Sequence, residues 1–163
     1  MMSHNIRTEK LNGLGVALVA KLLGLKVTRY HNTDSDGHEV RIKVQNRFRN
    51  EKLGDCFTMD ESPSTVQLVN SPDARIVFVD YDDPRLIRVY ECLSKSDYEM
   101  QYCGGGASWR VGLDKKRIVL CFPITKMKLV AEIAEPEILA EMKSLSDAKK
   151  YNLDSSQYGR MAT

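Results

Sequence analysis

The sequence predicts an α/β domain with a mixed central sheet flanked by helices. Leu11, Leu14, Leu18, Val19 and Leu22 recur at helical spacing. Val40, Ile42 and Val44 alternate strictly with Arg41, Lys43 and Gln45, the period of a strand buried on one face. Arg75 to Tyr81 (RIVFVDY) is a nearly continuous apolar run, as expected of a central strand covered on both faces. With 163 residues and 42% apolar content, the chain suffices for one domain with its own core and little more. Residues 1–150 are expected to form that domain, and residues 151–163 a flexible polar tail.

Taken in order, Thr8 to Leu23 reads as a helix with Thr8 as N-cap and Gly24 as C-cap. Gly13 and Gly15 either weaken its first turns or permit close packing against another backbone. Leu25 to Tyr30 is a short strand. Asp36-Gly37 then marks a tight hairpin leading into Val40 to Val44. Arg49 to Asp73 is punctuated by Asn50, Gly54, Asp60, Ser62, Pro63, Asn70 and Pro72, and reads as a long loop. Asp82 to Arg85 is a turn between the apolar run and a further strand, Leu86 to Glu91. Ser94 to Asp97 has the pattern of a capping box opening a short helix. Cys103 to Gly106 is a glycine-rich loop without the lysine-serine pair of a phosphate-binding loop. Trp109 to Val111 and Arg117 to Phe122 are expected to pair as a hairpin. Ile124 to Ile133 is helix-like, and Pro136 opens a last helix to about Lys150. The stripe Ile138, Leu139, Met142 and Leu145 on that helix either packs on the domain's own sheet or meets a partner.

The net charge of +2 does not by itself argue for nucleic acid. Its distribution does more. Between Arg41 and Lys52, the cations Arg41, Lys43, Arg47, Arg49 and Lys52 face only Glu51. Lys115, Lys116, Arg117, Lys126 and Lys128 form a second group. Cys56, Cys92, Cys103 and Cys121 show no CxxC spacing, which argues against a zinc ribbon or a redox motif and for reduced thiols. No apolar h-region precedes residue 11, and no run approaches the ~18 apolar residues of a membrane span. A cytoplasmic location away from membranes is the expectation.

The order helix, strand, acidic turn, lysine-bearing strand and apolar hairpin resembles the PD-(D/E)XK nuclease superfamily, the restriction-endonuclease-like fold. The resemblance rests on Val19 to Leu25 (VAKLLGL), Asp34 to Gly37 (DSDG), Val40 to Lys43 (VRIK), Ile76 to Glu91 (IVFVDYDDPRLIRVYE) and Phe122 to Val130 (FPITKMKLV). In active members of that superfamily, carboxylates hold Mg²⁺ or Mn²⁺ and a lysine assists the attacking water. The resemblance makes Lys43 that lysine. It also places Arg41 where a glutamate is expected, His31 at the turn aspartate and Val16 at the helix glutamate. Arginine so close to the lysine repels a cation.

Several readings remain open on these residues. The favoured one is a nuclease-like domain with a degenerate metal site, binding double-stranded DNA through Arg41, Lys43, Arg47, Arg49 and Lys52. The alternative is an active endonuclease with a rearranged site. There Lys43, Asp34 and His31 are catalytic, and Asp34 with Glu39 holds Mg²⁺ or Mn²⁺, although Glu39 lies roughly 13 Å along the strand from Lys43. Asp34 and Asp36 serve the turn alone if their oxygens accept local backbone hydrogen bonds. A third reading is a protein-interaction module of the immunity or inhibitor kind, with a homodimer or a partner protein.

Overall fold

The computed structural model describes residues 4–28, 31–102 and 118–150. Helix α1 (His4–Leu23) is followed by β1 (Lys26–Val27), β2 (Asn32–Thr33), β3 (Val40–Val44), β4 (Phe48–Asn50) and β5 (Gly54–Asp60). Helix α2 (Pro63–Asn70) leads to β6 (Arg75–Asp80), β7 (Ile87–Cys92) and β8 (Glu99–Tyr102). Then come β9 (Ile118–Pro123), a 3₁₀ turn (Ile124–Lys126), β10 (Met127–Ile133) and α3 (Pro136–Lys150).

The chain is thus α/β, and one four-stranded sheet, ordered β10-β7-β6-β3, is mixed: β3 runs parallel to β6, and the other neighbours are antiparallel. A second four-stranded sheet, β4-β5-β9-β8, is antiparallel throughout. Leu11 and Val19 of α1 and Leu139 and Met142 of α3 pack with Val40, Ile42, Val77, Val79, Ile87 and Val89. The helices therefore cover one face of the mixed sheet. On its other face Ile76, Phe78 and Tyr90 meet Phe57, Met59, Leu120 and Phe122 of the second sheet, with Leu68 of α2. Phe57 stacks on Phe78 at 4.8 Å, and Phe78 meets Phe122 at 5.8 Å. Among the described residues, α1 and α3 cover one side of the mixed sheet; on the other the second sheet does that work, with α2 beside it.

Local chemistry explains most boundaries. The Leu25 N–H donates to the Ala20 carbonyl across Gly24, whose φ is +67°, so the expected glycine cap closes α1. Asp34 and Gly37 form the expected turn, with the Gly37 N–H donating to the Asp34 carbonyl and φ at Gly37 of +82°. α1 starts at His4, so Thr8 is an interior residue and not its N-cap. Gly15 does allow close packing, but against a side chain: a methyl there would overlap Val44 Cγ2.

Three expectations are corrected. Residues 49–73 are not a loop: they hold β4, β5 and α2. Gly54, at φ +78°, turns the β4–β5 hairpin, and Ser62 caps α2 by accepting from the Thr65 N–H, with Pro63 in the first turn. Residues 127–133 form an edge strand beside β7, not a helix. Ser94 starts no helix; the Asp97 N–H only closes a turn onto its carbonyl at 3.2 Å. β10 also carries an extra residue, Val130, because Leu129 pairs with Tyr90 and Ala131 with Val89. The expected strand at Trp109 to Val111, the glycine loop, Lys115 to Arg117 and the tail lie outside the described residues. No described helix is long and apolar enough to cross a membrane.

Candidate functional site

The alternation of β3 divides the expected site. Val40, Ile42 and Val44 are buried beneath the helices, so Glu39, Arg41, Lys43 and Gln45 project from the opposite face, toward the second sheet. Arg41 pairs in register with Ile76 and Lys43 with Phe78, both residues of the core between the sheets. Arg41 Nη2 donates to Glu39 Oε2 at 3.4 Å and to Ser64 Oγ at 3.1 Å. Ser64 belongs to the first turn of α2, so the Arg41 guanidinium stands beside the positive end of a helix dipole. At the end of the strand, Gln45 Nε2 donates to the Thr58 carbonyl at 2.8 Å, and its Oε1 accepts from the Thr58 N–H at 2.7 Å. This amide pair ties β3 to β5 beyond the point where β4 leaves that strand.

Asp34 sits elsewhere. Its contact Arg75 is opposite Val40, and Glu91 is opposite Val77; both valines belong to the helix-side core. Asp34 and Arg75 therefore lie at the helix-facing side of the sheet. Along the strand, Val40 is about 10 Å from Lys43. Asp34 is only 9% exposed. Its Oδ1 accepts from the backbone N–H of His38 at 2.9 Å and of Asp36 at 3.0 Å, and its Oδ2 accepts from Arg75 Nη1 at 3.4 Å. The His38 N–H bond, foremost, with those from Asp36 and Arg75, holds the Asp34 carboxyl below its ordinary range against the opposing effect of burial. Arg75 grips both Glu91 oxygens at 2.8 Å, and that bond, ahead of the opposing burial, raises its pKa.

Among the described residues, Asp34, Asp36 and His38 form one cluster whose ligand atoms lie within 4.8 Å of one another. These residues do not fit the octahedral, oxygen-rich Mg²⁺ site that the resemblance implies. One Asp34 oxygen already accepts two backbone N–H groups, a guanidinium faces the other, and Lys43 is on the far side of the sheet. His31 is exposed in the β1–β2 turn, where its N–H donates to Thr28 Oγ1 at 3.1 Å. Glu39 shares a face with Lys43 but pairs with Arg41.

The cations expected to contact nucleic acid separate in the same way. Arg47 is drawn between the sheets: Nη2 donates to Asp80 Oδ2 at 2.7 Å and to the Tyr90 hydroxyl at 3.3 Å, and Nη1 to Asp55 at 3.3 Å. Burial lowers its pKa, but the bond and charge of Asp80 outweigh this and raise it overall. Arg49 is 78% exposed, with Asp55 at 3.6 Å, and Lys52 is 70% exposed, with Glu99 at 3.2 Å. The counter-ions Asp80, Arg75, Glu91 and Glu99 are far from their partners in sequence, and Asp55 meets Arg47 and Arg49 across the β4–β5 hairpin. Only strand register brings them together, so no spacing in the sequence signals them.

No protein-family model matches the sequence, and no curated protein is significantly similar to it.

Proposed function

We propose that this chain is a nucleic-acid-binding domain with a nuclease-like strand and turn, and that it holds phosphate without cleaving it. The observation that carries this reading is the division of the site. Lys43 shares its face with Arg41 beside the first turn of α2, whereas Asp34 lies across the sheet in the grip of Arg75. Cations without a metal-binding carboxylate set attract a phosphodiester but do not activate water against it. Arg49 and Lys52, exposed on the β4–β5 hairpin, supply further phosphate contacts.

Fluorescence anisotropy with a labelled DNA duplex tests the proposal. Binding is expected at about 50 mM salt and falls steeply by about 200 mM. Arg41→Ala and Lys43→Ala are each expected to weaken binding and to reduce the log–log salt slope by about 0.9. EDTA is expected to change nothing. Absence of binding at the lower salt overturns the reading. Nicking that EDTA abolishes and Asp34→Ala removes replaces it with the active-nuclease alternative.

A further inference from the structure

We draw no further inference here: the strongest candidate, the Asp34–Asp36–His38 cluster at the β2–β3 turn, is an acidic cluster already engaged by backbone N–H groups and Arg75, with no second feature in the structure that points to an ion.

Discussion

At the scale of single residues, the chemistry concentrates where charge is buried. Asp80 is 1% exposed; its Oδ2 accepts from Arg47 at 2.7 Å and its Oδ1 from the Asp82 N–H at 2.9 Å. Arg47→Ala removes the guanidinium partner of that buried carboxylate and is expected to cost about 3–5 kcal/mol in urea unfolding. Arg47→Met combined with Asp80→Leu is expected to cost less than Arg47→Ala alone, because no lone charge remains. Asp34 carries a pH dependence. Its folded pKa lies below the ordinary 3.8, so its contribution is complete above that value and is lost as pH falls through the lowered one. Asp34→Asn keeps a side-chain acceptor for the turn but removes the charge. Its thermal midpoint should lie below wild type near pH 7, with the gap closing as the pH drops below about 4. Cys56 makes a third case. Burial, then Cys121 and Asp55, push its thiol up to about 12. Native protein treated with iodoacetamide near pH 8 should leave Cys56 unmodified until denaturant is added, as peptide mass spectrometry would report.

At the scale of elements, two glycines on α1 respond in opposite directions. Gly15 faces Val44, and an added methyl collides with it. Gly15→Ala is therefore expected to cost about 1–3 kcal/mol through overpacking, against a helix-propensity gain of about 1 kcal/mol. Gly13 has nothing within 4 Å of such a methyl, so Gly13→Ala should stabilise by up to about 1 kcal/mol. Chemical denaturation of the two variants side by side checks the contrast. The same elements show what the sequence makes legible. The leucine spacing of α1, the Asp36-Gly37 turn, the alternation of β3, the apolar run of β6 and the proline opening α3 all lie within one stretch of chain and are read there. The punctuation of residues 49–73 was also visible, but Gly54, Ser62 and Pro63 delimit elements in place of filling a loop. Residues 124–133 carry apolar side chains compatible with either period, and pairing with β7 makes 127–133 a strand after the 3₁₀ turn at 124–126.

At the scale of the whole molecule, sequence reading met its limit at the site. Lys43 and Asp34 are close in the chain, yet β3 points Lys43 toward the second sheet while the β2–β3 turn sets Asp34 against Arg75 on the helix-facing side, and that follows only from which residues α1 covers. The run of cations from Arg41 to Lys52 likewise divides: β6 delivers Asp80 to Arg47 between the sheets, while Arg49 and Lys52 stay exposed on the β4–β5 hairpin beside Asp55 and Glu99. The apolar stripe of α3 resolves the other way, inward: Leu139 and Met142 are core, with Ile138 and Leu145 against them. Among the described residues β10 remains the outer strand of the mixed sheet, and Leu129 is 44% exposed on it. The extra Val130 puts its outward amides and carbonyls out of step, and Lys128 and Glu132 add exposed charge. A crowded solution of this protein is thereby guarded against edge-to-edge joining of neighbouring molecules along β10.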